Sequence, residues 1–148
     1  MNKLAAEVKE IDDQEIVVYI TLDVRGVEIV LIESKVPQWL KIGEKVYFTF
    51  QEMSVCVGKE CNGKISIENR IPSHLKQVRT KGTMCELTFD TKIGEVISLM
   101  TQKSFKELQI QDDEKATILL REIDIHLEPY TEPLNIDEFF HSRMKVAN

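Results

Sequence analysis

The chain has 148 residues, 43% of them apolar and 30% charged, with a formal net charge of −6 and a pI near 5.2. An acidic balance argues against a nucleic-acid surface, which shows as a basic excess. No run approaches the ~18 apolar residues of a membrane span, and no apolar signal-peptide core opens the chain, so neither nucleic acid nor membrane is an expected partner and the cytoplasm is the expected location.

The opening segment Asn2-Lys3-Leu4-Ala5-Ala6-Glu7-Val8-Lys9-Glu10-Ile11 returns later as Asn69-Arg70-Ile71-Pro72-Ser73-His74-Leu75-Lys76-Gln77-Val78. A repeat of this kind governs every other fold argument. Downstream of the first copy, Ile16, Val18, Ile20 and Leu22 alternate with period two and predict a strand over 15–22. Val24-Arg25-Gly26 turns the chain into a second strand over 27–32. A connector over 34–40 carries Pro37, and Ile42-Gly43-Glu44 turns into a strand over 45–50 with Val46, Phe48 and Phe50 on one side. A short strand is expected over 53–57. Gly58 and Gly63 bracket a junction, with Cys61-Asn62-Gly63 as its turn signal. The order then recurs: strands over 75–78, 84–89 and 95–100, a connector over 102–108, and strands over 115–120 and 123–127. Past Pro129, Asn135-Ile136-Asp137-Glu138 can cap a short helix, with Phe139, Phe140 and Met144 on its apolar face.

The repeat runs at an offset of 67 residues from Asn2/Asn69 to Val30/Ile97. It then slips, so that Lys45 matches Lys115, Glu52 matches Glu122 and Ser54 matches Asp124. Slips of this kind belong in loops. The division expected is a first unit over 1–60, a junction over 61–66, a second unit over 67–128 and a tail over 129–148. A unit of about 65 residues buries only a modest core, so the units are expected to pack together or to assemble with further copies. Four or five short strands and one connector per unit suit a small closed or partly closed barrel. The fold class is therefore all-β, two tandem OB-like barrels plus a short C-terminal helix.

Few residues carry chemistry on their own. Cys56, Cys61 and Cys85 are odd in number, and no second Cys/His pair completes a zinc pattern around Cys56 and Cys61. His74, His126 and His141 show no metal spacing, and no phosphate-binding glycine loop is present. No catalytic constellation rises above background, and the expectation is a binding protein with no metal and no catalytic residues. Trp39, the only tryptophan, reads as a plug over a barrel end.

Two segments give the repeats a family likeness. Ser98-Leu99-Met100-Thr101-Gln102-Lys103-Ser104-Phe105-Lys106-Glu107-Leu108 is a strand ending in a hydroxyl residue, then two polar residues, Ser, and a turn closing on Leu. Gly43-Glu44-Lys45-Val46-Tyr47 carries a Gly-x-x-Val pattern, and both Asn2 and Asn69 open an Asn-x-aliphatic start. Over residues 2–128 the chain resembles tandem molbindin (Mop, or TOBE) units. The resemblance implies OB-like barrels with strand exchange, assembly into a homo-oligomer, and molybdate or tungstate bound at interfaces. It further implies a role in storage or sensing tied to molybdate transport, with a transporter component as a potential partner.

On the positions that match, the resemblance points to Ser34, Ser54, Ser66, Thr101 and Arg121 as the oxyanion-binding residues. Hydroxyls, backbone amides and one cation are the donors a tetrahedral dianion needs. The match has gaps. The family opening Ser-x-Arg-Asn reads Ser66-Ile67-Glu68-Asn69 here, with a carboxylate where the arginine would stand. The family Lys-x-x-Ser reads Gln51-Glu52-Met53-Ser54 in one copy and Arg121-Glu122-Ile123-Asp124 in the other. These gaps keep open a rival reading, a degenerate tandem unit that serves protein interaction or assembly without binding oxyanion.

Overall fold

Alternation of apolar and polar residues drives the chain into strands, and the computed structural model, which describes residues 1–61 and 63–131, shows ten of them. In β2 (Val18–Val24), Val18, Ile20, Leu22 and Val24 are buried; in β7 (Met84–Thr91), Cys85, Leu87 and Phe89 are. β4 (Lys45–Phe50) and β9 (Lys115–Leu120) bury Val46, Phe48 and Phe50, and Ala116, Ile118 and Leu120. β1 (Asn2–Asp13) and β6 (Asn69–Lys81) are the long strands, and β3 (Val27–Glu33) and β8 (Gly94–Thr101) close the hairpins. Among the described residues the one α-helix, α1 (Gln102–Leu108), occupies the second connector, while the first is irregular. The helix expected from Asn135 onward lies outside the described residues.

Several expected boundaries move for local reasons. Ile16, placed in a strand by periodicity, is exposed in the β1–β2 turn. There the Asp13 carboxylate accepts from the Glu15 amide at 3.0 Å, Glu15 takes φ 69°, and the Gln14 amide donates to the Val17 carbonyl at 3.0 Å. The strands expected over 53–57 and 123–127 each begin as a 3-10 turn, Glu52–Ser54 and Glu122–Asp124. Only then do β5 (Cys56–Gly58) and β10 (His126–Pro129) follow. β6 contains Pro72, which pairs with Thr117 of β9 but precedes the β7 ladder, whose first pair is Ser73–Thr91. Proline removes no ladder donor in such a place.

The sheet order carries the main topological fact. One sheet runs β10-β4-β1-β2-β3 and the other β5-β9-β6-β7-β8. Each unit therefore sends its last strand to the other's sheet. β5 pairs antiparallel with β9 (Cys56–Leu119), and β10 pairs antiparallel with β4 (Leu127–Phe48). The sheets curl into OB-like half-barrels, closed at the seam by the 3-10 turns: the first packs on β8 and the second on β3. Buried side chains of both units form one continuous core, from Val8, Ile20, Leu31 and Phe48 to Ile71, Leu87, Phe89 and Ile118.

The two units match strand for strand. Even the β-bulges coincide: register shifts between Val8 and Glu10 in β1 and between Leu75 and Gln77 in β6, at Lys9 and Lys76. A bulge bends its strand, and here it turns β1 and β6 from one neighbour to the other. Lys9 pairs with Glu28 and Lys76 with Glu95, again one repeat apart. The turn that caps each bulge needs a left-handed residue. It is Gly43 (φ 87°) in one unit and Asp113 (φ 62°) in the other.

Candidate functional site

The seams between units are the structural consequence of the repeated asparagines. Asn2 is buried at the start of β1, and its amide lies along the edge of β8. Its Nδ2 donates to the Ile97 carbonyl at 2.9 Å and its Oδ1 accepts from the Ile97 amide at 2.9 Å. Asn69 does the same to Val30 of β3, at 2.8 Å in both directions, and also donates to the Leu120 carbonyl at 3.1 Å. Each side chain thus acts as one extra residue of ladder on the other unit's edge strand. It satisfies half-buried backbone groups of an edge strand.

Around each clasp, a 3-10 turn from one unit meets a strand end from the other. At the Asn2 seam the turn Glu52–Ser54 lies on β8, and the buried Ser98 hydroxyl donates to the Val55 carbonyl at 2.9 Å. The repeat partner of Ser98 is Leu31, which cannot make that bond. Beside this seam is a cavity of about 310 Å³, lined by Met53, Cys56, Met84, Met100, Thr101 and Ser104 among others. At the Asn69 seam the turn Glu122–Asp124 lies on β3, whose end leads into Ser34.

The five candidate residues fall around these seams. Thr101, exposed, caps α1: its hydroxyl accepts from the Ser104 amide at 3.1 Å and bonds the Ser104 hydroxyl at 3.0 Å. Ser54 ends the first 3-10 turn and is half-buried; Arg121 opens the second and is exposed. The β5–β9 ladder, with Cys56 opposite Leu119, sets these two near the same ladder end. Ser34 follows β3, and Ser66 precedes β6; both are exposed. Among the described residues, no hydrogen bond joins any two of the five.

Electrostatically the seams are acidic. Arg121 is held at two points by Asp124, Nε to Oδ2 at 2.8 Å and Nη2 to Oδ1 at 3.2 Å, which raises its pKa above the ordinary guanidinium value through the hydrogen bond first and the charge second. Glu122 accepts from the Glu68 amide at 3.2 Å. Its repeat partner Glu52 bonds the Met1 ammonium, which lowers the Glu52 pKa. Arg70 is engaged locally: its guanidinium donates to the carbonyls of Ile67, Gly63 and Ile65. Among the described residues no group of three or more His, Cys, Asp or Glu is placed to hold a metal ion.

Comparison with known proteins follows this geometry. The family profile of the TOBE domain matches residues 65–127. The match spans the second unit, which is similar to a TOBE domain. The solved structure of the cytoplasmic molybdate-binding protein ModG, in a form with molybdate bound, superposes on the chain with a TM-score of 0.80 at 16% identity. The match covers 87% of this chain and 96% of that one. No curated protein matches the chain. The first unit repeats the strand order of the TOBE domain, and the pair has the tandem molbindin fold.

Reading the sequence by motif alone left out the carboxylates Glu52, Glu122 and Asp124 as seam residues, and gave Asn2 and Asn69 no task. The recurrence of asparagine at the same place in both copies was the available signal. An amide side chain at the same strand start in both copies points to a shared backbone partner.

Proposed function

We propose that the protein binds molybdate or tungstate at the seams between its two TOBE-type units, in the cytoplasm, as a store or sensor tied to molybdate transport, and that it does so without catalysing a reaction. The observation that carries this reading is the interlocked pair of units. Its architecture follows that of a protein solved with molybdate bound across nearly the whole length of both chains. Ser34, Ser54, Ser66, Thr101 and Arg121 are the proposed ligand residues. Thr101 ends β8, Ser54 ends the first 3-10 turn, Arg121 precedes the second, and Ser34 and Ser66 lie in the loops after β3 and before β6, positions that supply the hydroxyls and the cation a dianion needs. Assembly into a homo-oligomer belongs to the same proposal. Met53 and Ile123, repeat partners on the two 3-10 turns, stand 70% and 66% exposed, and paired apolar side chains of this kind suit contacts with further copies.

Isothermal titration with molybdate, tungstate and sulfate tests the reading. Arg121→Ala should weaken molybdate binding more than tenfold, because hydrogen bonds to a charged group are worth ~1.5–3 kcal/mol, and Glu68→Arg should tighten it. Absence of heat in wild type and in Glu68→Arg would sink the oxyanion reading; light scattering that gave a 17.1 kDa monomer at high micromolar concentration would sink the assembly. A second reading is favoured by one observation, the engagement of Arg121 by Asp124 beside Glu122 and Glu68. On that reading the units serve as a protein-interaction or assembly module without oxyanion binding, and neither titration gives heat.

A further inference from the structure

β8 is an end strand of its sheet, and its outer edge is only partly taken. In an antiparallel ladder, alternate residues turn their backbone groups toward the neighbouring strand and the others turn theirs away. Met100 lies opposite Cys85 of β7, and the Gln102 amide donates to the Thr83 carbonyl at 2.9 Å, so Ser98, Met100 and Gln102 face β7. Ile97, Leu99 and Thr101 face outward. The Asn2 side chain holds the amide and carbonyl of Ile97, both at 2.9 Å. One step along the same edge, the amide and carbonyl of Leu99 have no partner among the described residues.

That step opens into the cavity of about 310 Å³. Its far wall is Val55, Cys56 and Val57, which lead into β5, the strand at the opposite end of the same sheet. The cavity is therefore the gap in the second half-barrel, between its two end strands. The Asn2 clasp and the bond from Ser98 to the Val55 carbonyl close one end of that gap. Met53, Met84, Met100 and Leu108 give the open part apolar sides, and methionine adapts to varied shapes. The repeat position of Met100 is Glu33 and that of Met84 is Val17, so the methionine lining belongs to one unit alone.

We propose that this gap is a docking site for an extended segment of another protein, uncharged and aliphatic, which pairs with the free edge of β8 and fills the space between β8 and β5. A strand edge with unpaired groups is a template for such pairing. Backbone hydrogen bonds hold the added segment, and the pockets beside the edge select its side chains. The Asn2 clasp shows what this edge accepts: a side-chain amide with one donor and one acceptor is a copy of a peptide group. Leu99 to Thr101 offers ~7 Å of edge, enough for about two residues of the segment, with an aliphatic side chain entering the cavity. The Thr101 hydroxyl already caps α1, so the site draws on the strand backbone and is independent of the oxyanion reading.

The probe is the blocked peptide acetyl-Thr-Val-Leu-Val-Thr-amide. Its control is the same peptide methylated on the nitrogens of its three central residues, which keeps the side chains and removes the donors. Both are titrated into isotope-labelled wild type and Leu99→Pro, followed residue by residue in amide NMR spectra. Leu99→Pro removes the outward amide and no ladder bond. Expected are saturable shifts at Leu99, Thr101, Cys56 and Val57 with the first peptide, and binding at least tenfold weaker with the methylated peptide or with Leu99→Pro. Equal binding of the two peptides to wild type makes the cavity an apolar pocket and overturns strand docking. No shift at these amides with millimolar peptide overturns it too. Protection of the Leu99 amide from hydrogen exchange that is lost on dilution of the free protein assigns the edge to a second copy, and overturns the proposed partner. If Leu99→Pro does not fold, the comparison of the two peptides on wild type decides alone.

Discussion

At the scale of single residues, the repeated asparagines bear more weight than any charged side chain. Removing the Asn69 amide leaves the amide and carbonyl of Val30 without their side-chain partner on a half-buried edge, and the buried Leu120 carbonyl with one partner fewer. A buried group that loses its partner costs ~1–3 kcal/mol. Asn69→Ala should therefore lower the unfolding free energy by about that amount in chemical denaturation. Asn69→Asp should cost at least as much, since a carboxylate cannot donate to the Val30 carbonyl. Equal stability of Asn69→Ala and wild type would show that water replaces the clasp. The five candidate ligand residues differ from the asparagines in being legible only through family likeness. A serine at a strand end has the same local pattern whether it faces an anion or its own backbone, and Thr101 in fact caps a helix.

At the scale of elements, alternation made β2, β3, β4 and their repeat partners visible, because each buries one face and exposes the other. β1 and β6 were readable as a repeat but not as long strands. Their first halves hold Ala5-Ala6 and Pro72-Ser73-His74, which carry little strand propensity. They are strands because each is flanked by two neighbours. The 3-10 turns that replace the starts of the expected last strands come from backbone geometry that periodicity does not encode.

The connectors carry a testable electrostatic feature at this scale. Glu114, just before β9, accepts from Lys59 at 2.8 Å and from the Gln111 amide at 2.7 Å. The Lys59 hydrogen bond, then the backbone one, holds its pKa below the ordinary value of 4.5. A depressed carboxyl contributes stability that is present above the unfolded pKa and is lost as pH falls through the folded one. Stability measured by urea unfolding between about pH 6 and pH 3 should fall with acid. Glu114→Gln should flatten that fall, and an unchanged slope would remove Glu114 from the account.

At the scale of the whole molecule, strand exchange couples regions far apart in sequence. β10 follows the second unit but completes the sheet of the first through β4. Ending the chain after Asp124 should leave the β6–β9 ladder protected and make the amides of β4, Lys45–Phe50, exchange faster with solvent, as read by hydrogen exchange. Faster exchange confined to the second sheet would contradict the topology. That two similar units stand side by side was plain from the repeat. Which unit receives which last strand was not, because β5 and β10 are short, alike in pattern, and equally able to pair with either β4 or β9.

Fusion of the two units in one polypeptide has a consequence for how such a molecule changes over generations. In a pair of identical single-unit chains, any substitution appears on both sides of the twofold axis at once. Here each side is inherited separately. One copy has Asp124 while the other keeps Ser54, one has Ser98 while the other keeps Leu31, and one connector has gained α1 while the other stays irregular. The clasps at Asn2 and Asn69 hold the frame constant, and the residues around them are free to diverge into two unlike seams.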